Sequence, residues 1–263
     1  MPALISAQVC VSLCGPIAQL SILVIIENKF RGPPNSGNGG YVSGLFSQLI
    51  DSPGATEVTL RAPIPLDQNL TFVPPQDGIA KVIDGETLIA EIKTADLALD
   101  IPQLKDWDLV RSARSLSYSL VDDVQPHLPG KRGFHPICFC CGADHEDGLE
   151  VFAAPVDEAQ VATVWQTKTE WAAEDGRLRE ELLWTAMDCP GQFAFMHAGI
   201  RTGLLGRMTA KVHSRPKAGE ELLVTAWMVR VEGKKHFAGC AIYTQDQVLC
   251  SEAMTLWIGR REP

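Results

Sequence analysis

A glycine-rich segment, Pro33-Pro34-Asn35-Ser36-Gly37-Asn38-Gly39-Gly40, precedes an apolar run from Tyr41 to Ile50. Prolines, glycines and small polar residues interrupt regular structure, and apolar side chains then recur three and four residues apart, at Val42, Leu45, Phe46, Leu49 and Ile50. This spacing predicts an amphipathic helix that begins at a glycine-rich loop. The first amides of such a helix have no intrahelical partner, so we expect the loop to favour an anion, or a carbonyl that becomes one.

The composition predicts a globular protein with a sizeable core. The chain has 263 residues, of which 46% are hydrophobic, and a mean hydropathy of +0.03, which suits one large domain or two ordinary ones. Its formal net charge of -9 argues against a nucleic-acid partner, because such proteins neutralise phosphates with a basic surface. A phosphorylated small molecule needs only a local basic pocket, so the charge does not exclude one.

The cysteines and the N-terminal segment bear on location. The eight cysteines show no regular disulfide framework in a chain of this length, so we expect free thiols in the reducing cytoplasm. No charged residue occurs from Met1 to Ile26, yet this segment lacks the basic start of a signal peptide, and Gly15-Pro16 interrupts it. We therefore predict no membrane anchor, an extension over residues 1–19, and a buried strand from Leu20 to Ile26.

Two copies of one pattern, a helix followed by antiparallel strands, run along the chain. In the first copy, residues 20–100, a hairpin at Asp84-Gly85-Glu86 joins the last two of four strands after the helix: Thr56–Leu60, Leu70–Val73, Ile79–Val82 and Thr87–Ala95. Residues 101–133 contain several prolines and charges and predict a connector with a short helix that is not a core element. The second copy, residues 134–263, has a predicted helix from Leu178 to Phe195 and these strands: Leu149–Ala153, Ala159–Trp165, Leu205–Val212, Leu222–Val231, His236–Thr244 and Gln247–Trp257. This order predicts an α+β fold.

Three short motifs mark the two copies: the loop from Phe30 to Gly40, the run Cys138-Phe139-Cys140-Cys141-Gly142 with Gly148-Leu149, and the segment from Leu182 to Asp188. In that order they resemble the His-Gly-Gly loop, the Cys-Phe-x-Cys-Gly … Gly-Leu entry and the helix segment ending in the catalytic carboxylate of the hotdog-fold acyl-CoA thioesterases. The likeness is to the phenylacetate-pathway and 4-hydroxybenzoyl-CoA types. It covers about Ile22 to Ile258 and implies two tandem hotdog repeats, each a long central helix wrapped by a curved antiparallel sheet.

The sequence departs from this family at the residues expected to do chemistry. Asn38 stands where the family has its loop histidine, and the first copy has Phe46 or Ser47 where an acid is expected. In the second copy Arg179-Glu180-Glu181 replaces the His-Gly-Gly loop. In dimers of the family each active site lies between subunits, so the resemblance implies one working site per chain. Its loop would come from the first copy and its acid from the second.

The resemblance implies hydrolysis of an acyl-CoA thioester to a free acid and CoA, without a cofactor. Asp188 would activate water or attack directly. The amides of Gly40 and Tyr41 would hold the developing oxyanion, and Asn38 would hydrogen-bond substrate or water. Two fused copies already form a pseudo-dimer, which could pair again as a homodimer.

Substrate contacts are expected from the same loop and from basic side chains. Asn35 and Gly39 would contact the substrate at the helix start. The CoA phosphates need cations, and we rank two residues of one predicted strand, Arg207 and Lys211, above the others. The full set of basic candidates is Arg61, Arg207, Lys211, Arg215 and Lys217.

Other functions stay open. A non-catalytic acyl-CoA-binding protein is plausible because the titratable loop histidine is missing. A hydratase or dehydratase of this fold would need a histidine beside the acid, and His197 is the one candidate near Asp188 in sequence. The absence of a Gly-x-Ser-x-Gly elbow disfavours an α/β-hydrolase.

Zinc would have a cluster of potential ligands, but no second cysteine pair completes a knuckle, so we predict no metal. The cluster consists of Cys138, Cys140, Cys141 and His145, with His135 nearby.

Overall fold

The computed structural model describes residues 11–12, 21–121 and 133–259. The predicted extension over residues 1–19 lies outside the described part, apart from a two-residue strand, β1 (Val11–Ser12). Strand β2 (Ser21–Ile25) confirms the strand predicted at the end of the uncharged segment. Among the described residues, no helix has the length and apolar character needed to cross a membrane.

Helix α1 (Gly39–Ser47) begins at the glycine loop, as predicted. The side chain of Asn38 caps this helix by accepting a hydrogen bond from the Tyr41 amide at 2.9 Å, which satisfies one of the free amides at a helix start. Four strands follow and confirm the predicted meander: β3 (Ala55–Leu60), β4 (Asn69–Gln76), β5 (Ile79–Asp84) and β6 (Thr87–Ala95).

The connector contains a short helix, α2 (Trp107–Ala113), whose first amides are capped by the Asp106 side chain. The helix was predicted, but its separation from the core was not correct. Val110 is fully buried and packs with Ala162 and Leu223 in a small apolar cluster of its own. The connector therefore covers part of the sheet of the second half.

The second half repeats the order of a helical segment followed by four strands. Its elements are β7 (Ala154–Pro155), β8 (Gln160–Gln166), α3 (Glu180–Ala186), α4 (Cys189–His197), β9 (Leu205–Val212), β10 (Glu221–Glu232), β11 (Lys235–Tyr243) and β12 (Leu249–Ile258). The strand predicted at Leu149–Ala153 is wrong. The Leu149 amide donates to the Phe139 carbonyl at 2.8 Å, so this segment pairs with the cysteine-rich loop and not with a strand.

The single helix predicted from Leu178 to Phe195 is broken in two. Pro190 has no amide hydrogen, and its ring would clash with the carbonyl of Ala186 four residues earlier, so α3 ends at Ala186. Helix α4 then begins at Cys189, with Asp188 as its N-cap residue at φ -75° and ψ -83°. The acid therefore lies at a junction between two helices and not on the side of one.

The strands of the described residues join one antiparallel sheet in the order β1-β2-β4-β5-β6-β3-β9-β12-β11-β10-β8-β7. The halves meet at the centre, where β3 pairs with β9. Outward from this pair, the first half runs β3-β6-β5-β4-β2 and the second runs β9-β12-β11-β10-β8, which is the same order relative to the helices. The predicted α+β class is confirmed.

The helices that matter for the site pack against one face of the sheet and against each other. Helix α1 contacts β3 and β9, and α4 contacts β8, β10 and β11. Where α1 meets α3, glycines allow a close approach. A Cβ on Gly44 would lie 2.7 Å from the Cα of Glu181 and 2.7 Å from the Cβ of Trp184, and Gly40 is similarly crowded by the Trp184 carbonyl. These two glycines, one helical turn apart, set the distance between the helices.

We expect Gly44→Ala to destabilise the protein by about 1–3 kcal/mol through overpacking at the α1–α3 contact. The overlap with backbone atoms of α3 should outweigh the better helix propensity of alanine, which is about 1 kcal/mol. Gly54→Ala is the matched control, because its Cβ would meet only the Ala95 carbonyl, at 3.8 Å. Urea unfolding of both variants measures the difference. Equal midpoints for the two would contradict a close-packing role for Gly44.

Candidate active site

Residues 150 positions apart meet at the start of α1. The carboxylate of Asp188 accepts two hydrogen bonds at its Oδ2 atom: one from the Gly40 amide at 3.0 Å and one from the Asn38 side-chain amide at 2.8 Å. The break between α3 and α4 carries the acid, and the close approach of α3 to α1 brings it to the glycine loop. The structure thus places an acid of the second half against a helix start of the first half.

Asn38 serves both sides of this contact. Its Oδ1 atom accepts the Tyr41 amide and caps α1, while its Nδ2 donates to Asp188 and lies 3.6 Å from the Cys138 sulfur. One asparagine therefore links the helix cap to the position of the carboxylate.

The carboxylate of Asp188 is almost entirely removed from solvent, with 3% of the residue exposed. Burial is the largest cause that raises the pKa of Asp188 to about 7; the neighbouring Cys138 raises it too, whereas the hydrogen bonds from Gly40 and Asn38 act in the opposite direction. Both of those bonds are made to Oδ2. The Oδ1 atom has no hydrogen-bond partner among the described residues, so it is the oxygen left to act on a ligand.

A cavity of about 610 Å³ opens beside this acid. Its polar lining includes Asn38, Asp188, Gln192 and His135. Apolar side chains from β3, β9, β12 and neighbouring loops supply most of the remaining wall: Leu60, Ile64, Leu204, Leu205, Trp257 and Ile258. A volume of a few hundred Å³ with an apolar wall and a few convergent polar groups is typical of a small-molecule site.

The three amides at the start of α1 have different partners. The Tyr41 amide is used by the Asn38 cap and the Gly40 amide by Asp188. Gly39 lines the cavity, and within the described ranges its amide has no hydrogen-bond partner. The sequence prediction assigned the oxyanion to Gly40 and Tyr41, but the geometry leaves Gly39 as the available donor, because the cap and the acid occupy the other two.

Two polar residues of the cavity were missed as site residues by the sequence analysis. The side-chain amide of Gln192 donates to the Gly203 carbonyl at 3.1 Å, and its Oε1 lies 3.2 Å from His135 Nε2. Gln192 follows Asp188 by four residues, about one helical turn, which is a signal that could have identified it. His135 precedes the cysteine run, and no local pattern places it beside α4.

Several predicted substrate contacts are not brought to the cavity. Asn35 is exposed and does not line it. Arg207 donates from Nε to the Thr59 hydroxyl at 2.9 Å, and neither it nor Lys211 is among the lining residues. The register of β9 and β12 shifts between Leu205 and Arg207, so strand alternation does not carry Arg207 to the side of Leu205.

Of the other predicted basic residues, Arg61 lines the cavity and Arg215 does not. Arg61 lines the cavity, and its Nε donates to Glu91 at 2.7 Å. Arg215 binds Asp175, away from the cavity lining. His197 contacts the Asp157 carbonyl at 2.6 Å, so it does not form the dyad with Asp188 that a hydratase would need.

Comparisons with known proteins bear on the fold. A scan against protein-family models and a search of curated proteins find no match. Among solved structures, a putative thioesterase II from Thermobifida fusca is 12% identical with a TM-score of 0.58, over 92% of this chain and 94% of that chain. The tesB protein of Mycobacterium avium subs paratuberculosis is 10% identical with a TM-score of 0.59, over 94% and 95%. A putative thioesterase from Novosphingobium aromaticivorans is 10% identical with a TM-score of 0.56, over 92% and 96%.

These three structures are similar to the chain over nearly its whole length, so the class is defined by fold: an α+β protein with the hotdog-like architecture of thioesterase structures. The predicted resemblance to hotdog proteins is confirmed at this level. At identities of 10–12% the likeness carries no residue roles, and the chemistry has to be argued from the site itself.

Proposed function

We propose that this protein hydrolyses an acyl-CoA thioester to a free acid and CoA in the cavity between its two halves. The observation that carries the proposal is the position of Asp188, held against the first turn of α1 by Gly40 and Asn38 beside an apolar cavity. Hydrolysis of a thioester needs a hydrogen-bond donor for the carbonyl oxygen and a base for the attacking water. The Gly39 amide and the Asp188 carboxylate would supply these two groups. The acyl chain would occupy the apolar part of the cavity.

We further propose that residues 20–100 and 134–263 are tandem hotdog repeats joined by a connector at 101–133. The equal strand order of the two halves supports this division. The point related by this symmetry, at the start of α3, is filled by side chains: Gln48 donates to Glu181 at 3.3 Å, and Glu181 is 4% exposed. One working site per chain follows. A cytoplasmic location and a homodimer of such chains stay predictions.

The proposed reaction begins with the carbonyl oxygen at the Gly39 amide. The Oδ1 atom of Asp188 takes a proton from water while the water oxygen forms a bond to the carbonyl carbon, and the negative charge on the carbonyl oxygen is held by the amide and the positive end of α1. Collapse of this intermediate breaks the carbon–sulfur bond. CoA leaves as the thiolate and accepts the proton, so the products are a carboxylic acid and free CoA.

The proposal is tested with a panel of straight-chain, branched and aromatic acyl-CoAs. We expect free acid and CoA, measured by chromatography, to form together and in equal amounts from at least one class. Chromatography avoids thiol reagents, which would react with the protein's own cysteines. If calorimetry detects binding of an acyl-CoA that is then not hydrolysed, the non-catalytic binding protein is the correct alternative.

We expect Asn38→Ala and Asn38→Ser to separate capping from positioning of the acid. Alanine removes the cap, at a cost of about 0.5–2 kcal/mol, whereas serine retains an acceptor for the Tyr41 amide. Neither can donate to Asp188 as asparagine does, and a hydrogen bond to a charged group contributes about 1.5–3 kcal/mol, or about 10–100-fold in rate. Thermal unfolding and kcat are the measurements. Full activity of Asn38→Ser would show that the bond to Asp188 has no part in hydrolysis.

A further inference from the structure

Four of the six cysteines in the described part of the chain lie together beside Asp188. Cys138, Cys140, Cys141 and Cys189 are all buried. The sulfurs of Cys138, Cys141 and Cys189 are within 4.8 Å of one another, and those of Cys138 and Cys189 are 3.7 Å apart. These three sulfurs, the three-thiol cluster, converge from two segments separated by about fifty residues in sequence.

The local fold turns two of these sulfurs to the same side. Cys138 and Cys141 have the Cys-x-x-Cys spacing and are followed by Gly142, whose amide donates to the Cys138 carbonyl at 2.7 Å. A Cβ on Gly142 would lie 2.5 Å from the Pro136 carbonyl oxygen, so this tight turn requires glycine. The backbone amide of Cys141 also hydrogen-bonds to the Cys138 sulfur. The turn therefore brings the sulfurs of Cys138 and Cys141 close enough to bind the same ion.

The third sulfur comes from the first residue of helix α4, Cys189. Phe139, between the paired cysteines, packs instead on the rings of Phe30 and Tyr41, at centroid distances of 4.9 and 5.7 Å. Phe139 thus packs against residues of the first half, whereas the sulfurs of Cys138 and Cys141 face Cys189 at the start of α4.

We propose that Cys138, Cys141 and Cys189 bind one Zn²⁺ ion as thiolates. A tetrahedral site with zinc–sulfur bonds of about 2.3 Å places its sulfurs about 3.8 Å apart, close to the 3.7 Å between Cys138 and Cys189. Soft thiolate ligands select Zn²⁺ over Mg²⁺ or Ca²⁺. Each thiol releases its proton when it binds the ion. The side chain of Cys140 also hydrogen-bonds to Cys189, but its sulfur is not one of the group whose sulfurs lie within 4.8 Å of one another.

No metal was predicted because no second cysteine pair completes a knuckle with the cysteine run, His145 and His135. His145 lies away from the cluster, with Nε2 2.6 Å from the Lys29 carbonyl, and the ligand that completes the set is remote in sequence. The ion would crosslink the start of α4 to the loop that carries Cys138 and Cys141. It would thereby support Asp188 and Asn38, whose side chain lies 3.6 Å from the Cys138 sulfur, without touching the reacting atoms.

Elemental analysis of the purified full chain, prepared under reducing conditions without chelators, tests the proposal. We expect about one zinc per chain, since the cluster forms one site. Replacement of the metal by Co²⁺ should produce the thiolate-to-metal charge-transfer absorption in the near ultraviolet. Cys141→Ser and Cys189→Ser should each lose zinc and absorption. Cys250→Ser is the matched control, because Cys250 is a buried thiol outside the cluster, and it should retain both.

A folded wild-type protein without zinc and without the Co²⁺ absorption overturns the proposal, and circular dichroism establishes that the sample is folded. Retention of stoichiometric zinc by folded Cys141→Ser and Cys189→Ser overturns the ligand assignment. The metal content is measured without substrate, so the result is independent of the proposed hydrolysis. A protein that binds zinc but hydrolyses no acyl-CoA would retain this inference and lose the proposed function.

Discussion

Asp188→Asn is expected to lower kcat by about 10²–10⁴-fold, the range typical of a lost general base. Asparagine has nearly the same shape, and its side-chain oxygen can accept the hydrogen bonds from the Gly40 amide and the Asn38 side chain. The amide nitrogen would then replace the Oδ1 atom, which has no partner among the described residues. The substitution thus removes the base and retains the local geometry, so KM should change little.

The control for this substitution is Asp96→Asn, which makes the same chemical change at an exposed position that does not line the cavity. We expect it to retain the wild-type rate. A thioether analogue of the substrate should bind both variants as it binds wild type, because it tests the cavity and not the base. If Asp188→Asn hydrolyses its substrate as fast as wild type, Asp188 is not the base, and the proposed mechanism fails.

Gly40→Ala is expected to reduce kcat by about 10²-fold, because a displacement of about 1 Å at a catalytic group has this order of effect. The added Cβ would lie 2.7 Å from the Cβ of Asp188 and 2.7 Å from the Trp184 carbonyl oxygen. Backbone atoms of α3 cannot move away cheaply, so the acid and the helix start must separate. The same overlap should destabilise the fold by about 1–3 kcal/mol.

Gly44→Ala separates the two effects of Gly40→Ala. Both substitutions overpack the α1–α3 contact, but Gly44 is one turn further along α1 and its crowding atoms belong to Glu181 and Trp184, not to Asp188. At a temperature where both variants are folded, we expect Gly44→Ala to keep kcat and Gly40→Ala to lose it. Equal loss of activity in both would mean that the glycines act through packing alone.

The two halves contribute different parts to the proposed site beside Asp188. The glycine loop of the first half has no acid on its own helix, since Phe46 and Ser47 occupy the expected position. The helix of the second half does not begin at a glycine loop, because Arg179-Glu180-Glu181 stands there, and Glu181 is hydrogen-bonded by Gln48. Each half supplies the component that the other lacks, so the proposed site depends on the packing of α1 against α3.

Local patterns were sufficient for most of the elements. The strands predicted at Thr87–Ala95 and Leu205–Val212 have those bounds in the structure, because alternation of buried and exposed side chains is a property of a few consecutive residues. The helix start at the glycine loop followed from the same kind of signal. The helix from Leu178 to Phe195 was predicted as one piece, although Pro190 was a local warning of the break.

Residues adjacent in the chain were sufficient to predict the α+β class and the glycine loop, and the family resemblance pointed to Asp188 as the acid. Which groups meet depends on the folded chain: the acid meets an amide 148 residues away, Gln192 meets His135, and three sulfurs come together from two segments. It also left Arg207 and Lys211 outside the cavity. The physical reason is that helix packing and strand register, including the shift opposite Leu205, orient these side chains, and both are set by contacts between residues remote in sequence.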